Sequence, residues 1–274
     1  LKNDSKIIRF GFFSSNLYHL SEKFPILNFF YIVPYFFIRS FLYLFLKNKN
    51  IVIHSHGFNC GFTGSILKKI YNLKHIFSTH SVYEIKNNNF YSLYIKFILN
   101  NCDNILCVSK KSKNQIESFI SKKKLRKIQT YTYWTDLNNF FPKNINKKYD
   151  FLFVGRLTKK KGIDIFLQLA ANFPSMKFCI VGNGPEEKKI FNLKNKLKNL
   201  SFLGRVDYEN LPNIYNSSKI LLIPSLYVEG FAREAIEGLA CGLPVIASEN
   251  VTALVEIKSK ESCEEGCCQA HSCT

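Results

Sequence analysis

The sequence predicts an α/β protein built as two successive doubly wound halves, and three observations carry that expectation. Short apolar runs of strand length alternate with stretches whose apolar residues recur every three or four positions. The strand-like runs end in glycine, histidine or proline, where an open parallel sheet presents its ligand edge. A polar stretch with a proline, FFPKNINKK at 140–148, separates two such series and reads as a linker. Alternation of this kind makes parallel sheets covered by helices.

In the first half, 7–13 is a strand. The aromatic run FPILNFFYIVPYFFIRSFLYLFL follows at 24–46 and is long and apolar enough to be weighed as a membrane span. Pro25, Pro34, Asn28, Arg39 and Ser40 count against a span, and a buried or membrane-surface helical region is expected instead. Residues 51–53 form a strand that delivers His54-Ser55-His56-Gly57. A helix at 61–71 leads to a strand at 75–78, which delivers Thr79-His80-Ser81. A helix at 91–99, a strand at 104–108, a helix at 110–120 and a strand at 127–133 complete this half. Asp136, which follows it, reads as structural.

The second half opens with a strand at 150–154 that ends at Gly155-Arg156. A helix at 162–172, a strand at 177–181 and a charged, solvent-facing helix at 186–198 come next. A strand at 201–203, a helix at 208–216 and a strand at 220–223 follow. After Pro224 and a polar loop, Phe231, Ala235, Ile236, Leu239 and Ala240 recur at helical spacing. Cys241-Gly242 stops that helix, and 243–247 is a last buried strand. The expected domains are 1–141, 149–257 and a cysteine-rich tail at 258–274.

Composition narrows the partners. The chain has 274 residues, 46% of them hydrophobic, enough for a sizeable core. Its net charge of +18 favours polyanions, anionic membrane surfaces and phosphorylated substrates. Nucleic acid is not an expected partner, because the lysines are spread through helices and turns and no recognised nucleic-acid module is present. Cys60, Cys102, Cys107, Cys179 and Cys241 fall in apolar or helical contexts and read as reduced core residues of a cytoplasmic protein. Cys263, Cys267, Cys268 and Cys273 crowd the tail in a spacing that matches no common zinc pattern. His54 and His56 form an H-x-H after a strand, but no carboxylate or cysteine pattern completes a metal site. No metal and no cofactor are expected.

Two carboxylates stand out between 224 and 248. Glu229 precedes Gly230 in the loop, and Glu237 lies two turns into the helix. Spacing alone fits two solvated glutamates on a surface helix. It equally fits a sugar-nucleotide site, with Gly230 admitting a close ligand and the free N–H groups of the helix start meeting a phosphate. In that case Glu237 would accept from a ribose diol. Arg156 and Lys161, in GRLTKKKG, are either a basic turn or a clamp for phosphate oxygens. Gly182, in VGNGPE, is either a turn glycine or a point of close ligand approach. His80 is either a structural hydrogen bonder or a reactive group.

The run EGFAREAIE followed by CGLPVIAS resembles the family 4, or group 1, retaining glycosyltransferases of the GT-B fold. IVIHSHG, STHSVY, NILCVSK, WTDLNNFFP, FVGRLTKKKG and VGNGPE also have counterparts in that family, in this order. The resemblance covers nearly everything from about 51 to 256 and implies two Rossmann-like domains with the ligand between them. It implies that Glu229 contacts the transferred sugar and Glu237 holds the ribose, while Arg156 and Lys161 stabilise the leaving diphosphate without an essential metal. It places His80 against the donor sugar, with Gly182, Gly230 and Phe231 among the donor contacts and His56 on the acceptor side. The stretch Leu203-Gly204-Arg205-Val206 would flank the base.

The implied function is retaining transfer of a hexosyl-type sugar from a nucleotide-sugar donor to a lipid-linked or polysaccharide acceptor. The implied place is cytoplasmic, peripheral on the inner face of the membrane. Both ends depart from the family pattern: no first strand with a glycine-rich loop is visible before 51, and the tail KSKESCEEGCCQAHSCT replaces the closing helices. Both domains are therefore expected to be incomplete. The alternative expectation is an inactive fragment that retains nucleotide or partner binding.

Overall fold

The computed structural model describes residues 25–46, 51–80, 89–120, 122–131 and 135–251. The expected strand at 7–13, Trp134 and the cysteine-rich tail lie outside the described residues. The chain divides into two compact units, Leu1–Cys107 with Lys113–Thr130, and Val108–Ser112 with Tyr131–Thr274.

The first unit holds a parallel sheet of β1 (Val52–His56), β2 (Lys74–Ser78), β3 (Asn104–Cys107) and β4 (Ile128–Thr130), in that spatial order. Helices α1 (Pro25–Phe45), α2 (Phe58–Tyr71), α3 (Asn89–Asn101) and α4 (Lys110–Glu117) accompany it. β1 runs through His56, so the two histidines belong to the strand and not to a loop after it. Helix α2 starts at Phe58, before the expected 61, because Gly57 turns the chain at φ 79° and its carbonyl accepts from Gly61 N at 2.9 Å. Of the strand expected at 127–133, the described residues form a strand over Ile128–Thr130, a 3₁₀ turn, Lys122–Lys127, precedes it, and residues 132–133 lie outside the described residues. Phe77, Ile98, Leu99 and Ile105 form the centre of this unit's core.

The aromatic run folds as α1, 21 residues long with Pro34 inside it. Ile32, Val33, Tyr35 and Leu44 are buried, and Leu44 packs with Leu67 and Leu73. The hydroxyl of Tyr71 on α2 donates to the Phe41 carbonyl at 3.1 Å. Phe30, Ile38, Leu42 and Phe45 remain exposed. Among the described residues no helix is long and apolar enough to cross a membrane.

The second unit is a five-stranded parallel sheet, β5 (Tyr149–Val154), β6 (Phe178–Val181), β7 (Leu200–Gly204), β8 (Ser218–Ile223) and β9 (Val245–Ala247). Its spatial order is β7-β6-β5-β8-β9. The chain winds outward from β5 through β6 to β7, then returns to the other side of β5 for β8 and β9. Along β5 the side chains alternate: Phe151 and Phe153 join one core with Ile163, Phe166 and Ile180, while Leu152 and Val154 join the other with Tyr215, Leu221 and Ala235. Helices α5 (Ile163–Asn172) and α6 (Glu187–Lys194), then α7 (Leu211–Asn216) and α8 (Arg233–Ala240), supply the covering residues. α6 is shorter than expected and buries only Ile190. α7 is preceded by a 3₁₀ turn, Tyr208–Asn210, and carries Pro212 in its first turn.

The stretch 140–148, read as a linker, is fastened to this second unit. Phe140 is fully buried against Tyr208 and Tyr215. Lys143 N donates to Asn216 Oδ1 at 2.6 Å, and Lys148 N donates to the Ser217 carbonyl at 2.7 Å. Polarity alone suggested a linker, but several backbone polar groups of this stretch have protein partners. Cys102, Cys107, Cys179 and Cys241 are buried and Cys60 is half-buried.

Two glycines separate strain from collision. Gly162 has φ +74°, and a Cβ there would lie 1.8 Å from the Pro224 carbonyl oxygen. Gly204 has φ +66° with nothing within 4 Å of such a Cβ. Gly204→Ala should cost about 1–2 kcal/mol, the ordinary penalty of a left-handed non-glycine residue. Gly162→Ala should cost clearly more, at least about 3 kcal/mol, since backbone must also move. Urea denaturation of the two variants side by side measures the difference, and equal losses would contradict this packing.

Candidate active site

The order β7-β6-β5-β8-β9 reverses direction between β5 and β8. At such a switch point the loops leaving neighbouring strands diverge to opposite faces, and the gap outside their carboxyl ends is where ligands of parallel sheets bind. The β5 loop carries Gly155, Arg156 and Lys161, and the β8 loop carries Ser225, Glu229 and Gly230.

The TKKKG sequence shapes the first loop. Thr158 caps a single 3₁₀ turn, Lys159–Lys161, its hydroxyl accepting from Lys161 N, and Gly162 closes the turn in a left-handed conformation. Lys159 and Lys160 are exposed, whereas Lys161 turns inward. The Lys160 carbonyl accepts from Leu226 N at 2.8 Å and ties the two loops together.

The second loop is held from behind. Glu229 N donates to the Asn250 carbonyl at 3.0 Å, and the Ser225 carbonyl accepts from Ser248 Oγ at 2.6 Å and Asn250 Nδ2 at 3.1 Å. This places the Glu229 carboxyl in the interior with 4% of its side chain exposed. Its Oε1 accepts from the Ser225 hydroxyl, and its Oε2 lies 2.7 Å from Lys161 Nζ. Lys161 Nζ is also 2.7 Å from Glu234 Oε1, on the first turn of α8. One ammonium therefore serves two carboxylates.

The energetics follow from that arrangement. Burial alone would lower the Lys161 ammonium, but the charges of Glu234 and Glu229 outweigh it and hold this group well above the ordinary lysine range. Burial raises the Glu229 carboxyl and the charge of Glu234 adds to this, while Lys161 and the Ser225 hydroxyl offset part of the rise. Removing one member of a buried ion pair costs about 3–5 kcal/mol because the remaining charge is stranded. The cluster is thus a tie between the loops as well as a charged site.

Glu237 lies one turn beyond Glu234 on α8 and is 8% exposed. Its Oε2 accepts from the hydroxyl of fully buried Tyr215 at 2.9 Å. Burial raises this carboxyl too, and Tyr215 and Arg233 pull it partly back. α8 approaches β8 closely at Gly238, where a Cβ would meet Leu221 Cδ2 at 2.8 Å.

The first unit presents a histidine cluster at the carboxyl ends of β1 and β2. His54 Nε2 lies 2.6 Å from Ser78 Oγ, and His56 Nδ1 lies 2.6 Å from His80 Nε2. Burial, then the neighbouring histidines, lower both His54 and His80, which favours neutral rings near pH 7. Behind them His75 is fully buried and lowered to about 4, with Nε2 3.0 Å from Ser55 Oγ. A cavity of about 460 Å³ adjoins the cluster, lined by Phe36, Tyr43, Leu44, His54, His56 and Leu67 among others. Among the described residues no group of His, Cys, Asp and Glu is arranged to hold a metal ion.

Comparison with known proteins was decisive. Residues 136–267 match the family model for glycosyl transferases group 1, and residues 9–130 match that for glycosyltransferase family 4. The chain belongs to the group 1, family 4 glycosyltransferases. It is 33% identical over 220 residues to an uncharacterized glycosyltransferase of Methanocaldococcus jannaschii, covering 73% of this chain and 58% of that one. It is 24% identical over 230 residues to the phosphatidylinositol N-acetylglucosaminyltransferase gpi3 subunit of Schizosaccharomyces pombe, covering 78% of this chain and 49% of that one. The chain thus spans about half to three fifths of these relatives. Anabaena HepE in complex with UDP-glucose shares the fold, with a TM-score of 0.61 at 17% identity, covering 75% of this chain and 61% of that one. The two Rossmann-like sheets are those of the GT-B class, as the sequence implied.

Within this chain the structure brings Glu229 and Lys161 into contact and buries Glu237 nearby on α8. Arg156 is exposed at the end of β5. Gly182 serves packing: it has φ +140°, and a Cβ there would lie 1.8 Å from the Gly155 carbonyl oxygen. Gly230 is buried and does not have positive φ, so no conformational freedom special to glycine is used there. Phe231 is half-buried before α8, which begins at Arg233 rather than at Phe231. His80 lies in the first unit beside His56. Spacing arguments passed over Glu234, Ser225 and Tyr215. Glu234 had a readable signal, since it precedes Glu237 by one helical turn; Tyr215 had none, being brought in from α7.

The raised Glu237 carboxyl has a consequence for stability. Its folded value lies above its unfolded one, so folding takes up protons between the two and stability falls as pH rises through that window. Glu237→Gln removes this deficit while keeping an acceptor for Tyr215. The variant should melt above the wild type at pH 7, and the gain should vanish below about pH 4, where the unfolded carboxylate is protonated too. Scanning calorimetry at the two pH values checks this; a gain that persists in acid would mean that burial of the charge is not its origin.

Proposed function

We propose that this chain transfers a sugar, with retention of configuration, from a nucleotide-sugar donor to a lipid-linked or polysaccharide acceptor. The observation that carries this reading is the half-buried Lys161 held between Glu229 and Glu234 at the β5–β8 switch point, with Glu237 one turn further along α8. Breaking a sugar–diphosphate bond leaves negative charge on the diphosphate. Arg156 and Lys161 are the cations at the carboxyl end of β5 that would stabilise it. Glu237, with one oxygen held by Tyr215, keeps a second for a ribose hydroxyl. Glu229 would contact the sugar, and Gly182, Gly230 and Phe231 would line the donor site. No metal is needed for this chemistry.

Several features support the finer parts of the reading. A structure of like fold is a complex with UDP-glucose, and one relative is named for N-acetylglucosaminyl transfer to phosphatidylinositol. The net charge of +18 and the exposed Phe30, Ile38 and Leu42 of α1 suit an anionic membrane surface. The cavity of about 460 Å³ beside His54 and His56 suits the apolar part of an acceptor. These favour action on the cytoplasmic face of a membrane.

The test is a thermal-shift screen against UDP, GDP, ADP and their sugar conjugates, with and without divalent metal. A ligand that binds only the folded chain raises its melting temperature. The expected outcome is a metal-independent rise with one base, abolished by Lys161→Ala. Transfer should fall at least about 100-fold in Lys161→Ala and Glu237→Ala while the circular dichroism spectrum is retained. Full activity in both variants defeats the site assignment, and a folded chain that shifts with no nucleotide defeats the donor site itself.

A further inference from the structure

Glu234 is unlike the other carboxylates of the site. Glu229 has a second anchor in the Ser225 hydroxyl, and Glu237 has one in Tyr215. The hydrogen bond that Glu234 makes among the described residues is to Lys161, at 2.7 Å. Its Oε1 also stands 3.8 Å from where a Cβ of Gly155 would be, against the carboxyl end of β5. Its side chain is 13% exposed, so its charge is poorly screened.

The charge balance creates a difficulty that the assignment of Lys161 to phosphate must resolve. Lys161 contributes one positive charge and Glu229 with Glu234 two negative ones. A diphosphate arriving there would meet a cluster with net charge of minus one, whose cation is already engaged twice. Other charged or titratable groups with influence here are Arg156, Arg233, Glu237, Tyr215 and Tyr227. Of the three carboxylates, Glu234 is the one without a separate hydroxyl holding it, and so the one that can release the ammonium.

We propose that Glu234 is a positioning residue that holds the Lys161 ammonium at the switch point in the unliganded chain and yields it to the phosphate of an incoming nucleotide. This rests on the donor-site reading above. One consequence follows. Removing the Glu234 charge frees Lys161 beforehand, so binding tightens.

The experiment is calorimetric titration of the 274-residue chain with UDP-glucose and GDP-mannose. Glu234→Gln should bind roughly tenfold more tightly than the wild type. Lys161→Ala should weaken binding, and Glu234→Asp, which keeps the charge, should return the affinity toward that of the wild type. Circular dichroism and melting confirm that each variant is folded. Unchanged or weaker binding in Glu234→Gln, with binding still lost in Lys161→Ala, overturns the role of Glu234 and leaves the donor site standing. A folded wild type that binds neither probe overturns both.

Discussion

One ammonium between a buried carboxylate and a half-buried one is the contact on which the second unit's functional edge depends. Lys161 comes from the loop after β5, Glu229 from the loop after β8 and Glu234 from the helix that follows. Those loops leave neighbouring strands toward opposite faces of the sheet, so nothing in the backbone ladder keeps them together beyond the strand ends. The ion cluster and the Leu226–Lys160 hydrogen bond do. A buried charge is tolerable only with partners in good geometry. Here both oxygens of Glu229 have a donor, Ser225 Oγ and Lys161 Nζ, and Glu234 Oε1 shares the same ammonium.

The scaffold explains how such a costly arrangement stands. β5 is central in its sheet and buries large side chains on both faces, Phe153 on one and Leu152 on the other. Close approaches at Gly162, Gly182 and Gly238 leave little room for the loops or for α8 to shift. Carboxylates at Glu229 and Glu237 that burial pushes toward the neutral form are a stability loss in the unliganded chain. A cationic or hydroxyl-bearing ligand group would recover part of it, which is the usual compromise between stability and a preorganised site.

Much of this was legible in advance. Short apolar runs and period-three-to-four patterns located the elements of the described residues, with errors confined to ends: α2 begins at Gly57's turn, and α8 starts after Phe231. The linker at 140–148 was misjudged because polarity does not reveal a backbone partner such as Asn216. Lys161 could be told from Lys159 and Lys160 only through the family motif. Glu234 was hidden by attention to Glu229 and Glu237. The coupling of Tyr215 to Glu237 spans 22 positions and leaves no local trace.

The sequence by itself determined the fold class, the family, and the loops in which the chemistry would lie. Those properties depend on local periodicity, on turn residues and on motifs that short stretches carry whole. Only the tertiary structure decided which charges meet, which glycines are there for packing, and which histidine faces which. Such contacts join residues as far apart as Lys161 and Glu229, or His56 and His80. They are set by the order in which strands lie side by side, and no pattern within a single segment encodes that order.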